Sequence, residues 1–213
     1  MTVTENNQAT IRIDREGAES GFSMVELITA LTVSLIILGA VVLSFSSAMR
    51  TRERQSSRTD AITSTQAAIN IVSREISNSG YGLTTNGIVV ADSGQKKIHF
   101  RSNLFNTDWS TGSAGEDITI FYDATSQSVL RFDANTGVTS GVINRVSDVD
   151  FMYYNNSYSG ETGPYTTPSA NTTRVNIKLK VLLPNVVSQP ASQETVFVSD
   201  VTLRNAPYML SQY

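Results

Sequence analysis

The sequence of 213 residues contains no cysteine and a single histidine, His99. The absence of cysteine excludes disulfides, thiolate nucleophiles and cysteine-ligated zinc sites, and one histidine is too few for a histidine-rich zinc site. Charged residues are also scarce, at 16% against about a quarter in typical soluble domains. The formal net charge of -3 provides no overall positive field for nucleic acid. No G-x-S-x-G elbow accompanies the histidine, so we predict neither an enzyme, nor a cofactor, nor nucleic-acid binding.

A long apolar run is the strongest feature that the sequence does have. Residues 27–45 contain neither a charged residue nor a proline, and a helix needs roughly 20 such residues to cross the hydrocarbon core of a bilayer. An ordinary secretory signal peptide has a shorter apolar region followed by a small-residue cleavage site. Here the arginine-rich residues 50–54 follow instead. The run therefore predicts a retained membrane helix.

Glu26 is unexpected next to this run, because a carboxylate at the bilayer centre costs on the order of 2.5–3.5 kcal/mol, and less near the interface. Two interpretations are open on the residues alone. Ser23 and Glu26 have the S-x-x-E spacing of a capping box at a helix start. Alternatively, Glu26 is needed because a positive group meets it in an apolar environment.

Residues 21–27 read Gly-Phe-Ser-Met-Val-Glu-Leu, which resembles the processing signature of type IV pilins and pseudopilins. The resemblance implies that a prepilin peptidase cleaves after Gly21, so that residues 1–21 are a cytoplasmic leader, and that Phe22 becomes an N-methylated terminus. It also implies that Glu26, fifth in the mature chain, neutralises the ammonium of its own Phe22 or of a neighbouring subunit. The leader is longer and more acidic than the short basic leaders common in that family.

One long helix is predicted from Phe22 to about residue 79, because Gly80 and Gly82 are the first strong stop signals. Residues 22–49 would form the transmembrane and filament-core part, and residues 50–79 a solvated neck followed by a part that packs on a domain. The packing part carries a stripe with helical spacing, formed by Ile62, Ile69, Val72 and Ile76.

After residue 80 the apolar period becomes two, which is typical of strands. Strands are predicted at residues 87–90, 97–100, 117–122, 129–132, 149–153, 174–181 and 194–198. Residues 155–173 are rich in Asn, Ser, Gly, Thr and Pro and predict a long exposed loop. The fold class is therefore α+β, with an antiparallel sheet of residues 80–213 packed on the apolar stripe. The resemblance to type IV pilins implies that this layout is the type IV pilin fold.

Candidate chemistry in this domain is sparse. His99 alternates with Ile98 and Phe100, and is predicted to be an exposed strand residue. Asp148 and Asp150 share one face of a strand and are weak candidates for calcium, which takes about six to eight oxygen ligands. A solvated strand face is the alternative for this pair, and we predict no metal.

Two further segments, residues 67–82 and 201–205, are similar to the helix end and the closing strand of PilW-like minor pilins. The second also resembles the closing strand of J-type pseudopilins. The resemblance implies a minor pilin near the tip of a type IV pilus that helps to initiate assembly. Its partners would be the major pilin, other minor pilins, the prepilin peptidase and the assembly platform. The chain would span the bacterial inner membrane once, with its C-terminal domain outside, before entering the filament.

Two alternatives to a minor pilin remain open. A minor pseudopilin of type II secretion would carry the same motifs. From a different class, a membrane-anchored binding or adhesion module would not be processed at Gly21. The arginines at positions 50, 52, 54 and 58 are unfavourable for the pilin orientation by the positive-inside rule, but cleavage requires a cytoplasmic leader.

Overall fold

The computed structural model describes residues 21–105, 110–183 and 193–211, and it divides into two units between Met49 and Arg50. Apart from Gly21, the predicted leader lies outside the described residues. Within them, the chain has one long helix, a short C-terminal helix and eight strands. The α+β layout is therefore as predicted, although the strands form two sheets where one was expected.

Helix α1 (Met24–Ser77) begins two residues after Phe22. Its 54 residues include no proline and only one glycine, Gly39, so nothing in the sequence interrupts the backbone hydrogen bonds. Hydroxyl groups in its apolar part bond within the helix, because Thr29 donates to the Glu26 carbonyl at 2.9 Å and Thr32 donates to the Ile28 carbonyl at 2.5 Å. Such internal bonds satisfy polar side chains where no water is at hand.

The predicted packing stripe of α1 is confirmed for three of its four residues. Ile69, Val72 and Ile76 are buried in the core of the second unit, whereas Ile62 is half-buried. Thr65 and Ala68 complete the buried face, because residues three and four positions apart lie on one side of a helix. Arg131 adds a part-buried ion pair to this contact, with its Nε 3.0 Å from a carboxylate oxygen of Glu75.

Two glycines make the tight connection after α1 possible. The helix ends at Ser77, two residues before the predicted end. Gly80 and Gly87 follow with φ of 77° and 75°, a region that favours glycine. A Cβ on Gly87 would lie 2.2 Å from the Gly80 nitrogen and 2.3 Å from the Arg101 carbonyl oxygen. This close approach lets the Gly80 amide donate to the Arg101 carbonyl at 2.9 Å, which ties the helix end to the first strand.

The strands form two antiparallel four-stranded sheets. The first sheet has the order β1-β2-β3-β4 and the second has the order β6-β5-β7-β8. The strand bounds are β1 (Lys97–Arg101), β2 (Asp117–Asp123), β3 (Ser128–Asp133), β4 (Val138–Asn144), β5 (Val146–Ser157), β6 (Gly160–Tyr165), β7 (Thr172–Leu182) and β8 (Glu194–Thr202). Helix α2 (Pro207–Leu210) follows β8.

The prediction after residue 80 needs correction at three points. Residues 87–90, predicted as a strand, form only one bridge, from Ile88 to Phe100, before the 3-10 turn Val90–Asp92. The predicted loop at residues 155–173 instead contains the end of β5, all of β6 and the start of β7. Strands β4 and β6 were not predicted, because both are edge strands with mostly exposed side chains, so their sequences lack the alternation that burial of one face imposes.

Both sheets and the stripe of α1 contribute to one hydrophobic core. Phe151 and Tyr153 of β5 lie at its centre and are fully buried. The Tyr153 hydroxyl donates to the Gly94 carbonyl at 2.9 Å, and the Phe151 amide donates to the Gln95 carbonyl at 2.8 Å. Because the Tyr122 amide of the first sheet donates to the Lys96 carbonyl at 3.1 Å, the segment before β1 links the two sheets.

Candidate functional site

The predicted cleavage point lies at the accessible beginning of the described chain. Gly21 and Phe22 precede the helix, and the Phe22 side chain is 81% exposed. Nothing lies within 4 Å of the position that a Cβ on Gly21 would occupy. A peptidase needs a peptide bond that is neither helical nor buried, and the Gly21–Phe22 bond has both properties.

Glu26 lies in the first turn of α1 and is exposed. The Leu27 amide donates to the Ser23 carbonyl at 3.1 Å, which is an ordinary helical bond. Among the described residues, the Ser23 hydroxyl and the Glu26 carboxylate do not form the two side-chain bonds of a capping box, so the capping-box interpretation gains no support. The position still favours a carboxylate, because the first turn of a helix carries partial positive charge.

The apolar half of α1 presents its side chains outward. By length and composition, α1 can span a membrane, and none of its most apolar stretch is buried within the chain. A core helix of a soluble protein would instead bury these residues. The large apolar side chains that are more than half exposed here include Leu27, Ile28, Leu31, Val33, Leu35, Ile36, Ile37, Leu38, Val41, Val42, Leu43 and Phe45.

Asp148 and Asp150 share one face of β5, as predicted, and lie among cationic side chains. Lys96 forms ion pairs with both carboxylates, at 2.8 Å to Asp150, and Lys180 lies 3.2 Å from Asp148. Gln95 also donates to Asp150 at 2.8 Å. A metal ion at this position would have to displace the Lys96 ammonium. Within the described ranges, no cluster of three or more acidic, histidine or cysteine side chains is arranged to hold a metal.

These ion pairs predict how stability depends on pH. Burial alone would raise the pKa of the Asp148 carboxyl, but hydrogen bonds from Lys96 and Lys180 outweigh it and lower that pKa. Because the pKa of Asp148 is lower in the folded chain than the ordinary value of about 3.9, its ionisation stabilises the fold at pH values above 3.9. This stabilisation is lost as the pH falls through the pKa of the folded state. We therefore expect urea midpoints of the wild-type domain to fall between pH 5 and pH 2, and Asp148→Asn to make that fall shallower.

The matched control for this prediction is Asp60→Asn, which removes an exposed aspartate of α1. It should leave the dependence of the urea midpoint on pH as in the wild type. Equal slopes for wild type and Asp148→Asn would contradict the assigned role of the lysine contacts.

The prediction that His99 is exposed is wrong. Its side chain is only 12% exposed and lies between two carboxylates, with Nδ1 2.9 Å from Asp92 and Nε2 2.5 Å from Asp117. Lys97 pairs with Asp92, and Arg101 Nε lies 2.8 Å from Asp117. The hydrogen bond from Lys97 lowers the pKa of the Asp92 carboxyl. This network extends along the outer side of β1.

Among the described residues, the His99 network does not form a serine-type catalytic arrangement. The Ser93 hydroxyl contacts the backbone of His99, where it accepts from the His99 amide at 2.9 Å. Both ring nitrogens face carboxylates, which leaves neither to accept a proton from a hydroxyl nucleophile. Sequence reasoning missed the network because Asp92 and Asp117 are 7 and 18 residues from His99 and meet it only through the 3-10 turn and the pairing of β1 with β2.

A surface cleft of about 380 Å³ is present in the second unit. Ser57, Asp60 and Ser64 of α1 line one side, and Arg145 lies between β4 and β5 on the other. Its further lining residues are Ala61, Val142, Ile143, Asn144, Val181 and Leu182. The volume is within the range of small-molecule sites. A test of the binding-module alternative therefore starts with ligand binding at this cleft.

No family model, curated protein or solved structure matches this chain.

Proposed function

We propose that this chain is the precursor of a type IV pilin-like subunit, and specifically a PilW-like minor pilin that helps to initiate pilus assembly near the filament tip. One observation carries the proposal. An accessible Gly21–Phe22 bond lies immediately before a helix that places Glu26 in its first turn and then presents an exposed apolar surface.

Gly21, Phe22 and Glu26 each have a proposed role. A prepilin peptidase would cleave the Gly21–Phe22 bond, and the new amine of Phe22 would be N-methylated. The Phe22 ammonium and the Glu26 carboxylate would then neutralise each other, within one subunit or between neighbours, when the apolar helix enters the filament core. A buried charge without a partner costs several kcal/mol, whereas a matched pair is tolerated.

The second unit supports the same proposal. Residues 50–77 of α1 bury an apolar face in the core of an antiparallel β domain. A membrane-spanning helix that continues into a domain-packing helix is the arrangement expected of the type IV pilin fold. We propose that the chain spans the bacterial inner membrane with this domain outside the cytoplasm. Its partners would be the major pilin, other minor pilins and the assembly platform.

A minor pseudopilin of type II secretion is the second candidate, because the same processing segment and helix serve both systems. A membrane-anchored binding or adhesion module is the third candidate, and the cleft beside Asp60 and Arg145 is the observation that favours it.

The distinguishing experiment compares cells from which the gene has been deleted with the same cells in which the full chain is expressed again from a second copy. For a minor pilin, the deletion should reduce surface pili, and the mature chain should copurify with the sheared filament fraction. Restored secretion of a type II substrate with normal pili would favour the pseudopilin. Full-length protein confined to the membrane fraction, with no effect on either system, would contradict both filament proposals.

A further inference from the structure

The cleft of about 380 Å³ is built entirely from the second unit. One side is formed by Ser57, Asp60, Ala61 and Ser64 of α1. Their spacing of three and four residues places them on one side of the helix. The other side is formed by the end of β4, the connection to β5 and the end of β7. Three separate elements of one unit therefore hold the cleft in shape.

Much of the wall of this cleft is apolar. Val181 is buried, and Val142, Ile143 and Leu182 are half-buried. Val142 and Ile143 also pack against the hydrophobic core, so their positions are fixed by the fold. Half-buried apolar side chains lose further contact with water when a ligand covers them, which is favourable. The wall therefore favours a ligand with an apolar body.

Two opposite charges line the cleft from different elements. Asp60 belongs to α1 and Arg145 lies between β4 and β5, and both side chains are exposed. Within the described ranges, neither forms an ion pair, whether with the other or with a third group. A ligand with a single charge would pair with one of them and meet a like charge at the other. A zwitterion pairs with both.

The backbone conformation of Arg145 is unusual for its residue type. Its φ is 60°, in the left-handed region that glycine or asparagine adopts at lower cost. The Arg145 carbonyl accepts from the Leu182 amide at 2.7 Å, which holds this conformation in place. Residues kept in such conformations are concentrated at functional sites, including ligand clamps. The sequence thus has an arginine where a smaller residue would be less strained.

We propose that this cleft binds a short apolar peptide with free ends. Its carboxylate contacts the Arg145 guanidinium, its ammonium contacts the Asp60 carboxylate, and its side chains lie against Val142 and Leu182. The volume is at the lower end of the range of about 300–1,000 Å³ for small-molecule sites, which suits about two or three residues. This activity goes beyond the proposed filament role and does not rest on cleavage at Gly21.

The uncleaved full chain in a non-ionic detergent is the test protein, with its valine and leucine methyl groups labelled for nuclear magnetic resonance. The probe is the dipeptide leucyl-leucine at pH 7, where its amine and its carboxylate are both charged. We expect saturable shifts of the methyl signals of Val142, Val181 and Leu182, with a dissociation constant on the order of 1 mM or tighter. The exposed Val196 and Val198 of β8 are the internal control and should not shift.

Three modified probes isolate the parts of the ligand. N-acetyl-leucyl-leucine lacks the ammonium and leucyl-leucine amide lacks the carboxylate. Each should bind up to about fivefold more weakly, which is the effect of losing one contact between exposed charges. Diglycine keeps both charges but lacks the apolar body, and it should produce no saturable shift of the methyl signals in the cleft.

Substitutions then match each charge of the probe to a residue. Arg145→Gln should weaken leucyl-leucine by up to about fivefold but should not weaken the amide further, because the amide already lacks the partner of Arg145. Asp60→Asn should likewise weaken leucyl-leucine but not the acetylated dipeptide. Arg145→Lys keeps the charge and should retain most of the affinity. The matched control is Arg204→Gln, another exposed arginine of the second unit, which should bind as the wild type does.

Four results would overturn the proposal. They are an absence of saturable shifts in the cleft, equal binding of diglycine, an equal loss of affinity in Arg204→Gln, and tighter binding of the acetylated dipeptide. The last result would identify a site for simple anions. The modified probes give their answer on the wild-type chain, so the test stands even where a variant does not fold. Processing and piliation are measured separately, so failure here and failure of the filament proposal are distinguishable.

Discussion

Glu26→Gln should be cleaved after Gly21 like the wild type but should fail to enter filaments. Glutamine keeps the size of the side chain and removes its charge, so the Phe22 ammonium would lack a counterion in the filament core. Loss of one partner from a buried pair costs about 3–5 kcal/mol, which corresponds to at least a hundredfold loss of assembly. The measurement compares the amount of mature chain in sheared filaments with the amount in the membrane.

Glu53→Gln is the matched control, because it makes the same change at another exposed position of α1 that lies beyond the apolar half. It should assemble as the wild type does. Normal assembly of Glu26→Gln, or equal defects in both variants, would contradict the proposed pairing of Glu26 with Phe22.

Phe151→Ala should destabilise the β domain by about 3–5 kcal/mol, because a fully buried aromatic ring is replaced by a cavity. The free energy of unfolding of a typical domain is only about 5–15 kcal/mol. Phe151 lies in β5 between β6 and β7 and belongs to the core that α1 and both sheets share. Urea unfolding of the full chain in mild detergent, followed by near-ultraviolet circular dichroism of its aromatic residues, measures the loss.

Tyr158→Ala provides the control for Phe151→Ala. Tyr158 is also aromatic and also lies in the second unit, but it is 89% exposed, and among the described residues its ring makes an edge contact with Tyr208. Its replacement should cost less than about 1 kcal/mol. Similar losses for the two variants would show that Phe151 is not at the centre of the core.

The sequence was most informative where one face of an element is buried. The alternation in β7, from Arg174 to Val181, matches the observed burial of Val175, Ile177, Leu179 and Val181. The stripe on α1 was predictable for the same reason. Strand β6 offered no such pattern, because its six residues are all exposed and include Gly163 and Pro164. Its strand character comes from pairing with β5, which composition does not encode.

The candidate site residues also differ in how far the sequence predicts their surroundings. Gly21, Phe22 and Glu26 are close in sequence and need only a helix to fix their spacing, so their placement was predictable. The surroundings of Asp148 and His99 were not predictable, because the groups that pair with them come from distant segments. Lys96 is 52 residues from Asp148, and only the link between the two sheets brings them together.

Processing at Gly21 is the central claim, and one measurement tests it most directly. The chain would be expressed with a prepilin peptidase, extracted from the membrane, and examined for its N-terminal residue and intact mass. The account predicts a mature chain that starts at N-methylated Phe22, and loss of this product when Gly21 is replaced. An intact start at Met1 in the presence of active peptidase would contradict the account and leave a single-pass anchor that carries a β domain.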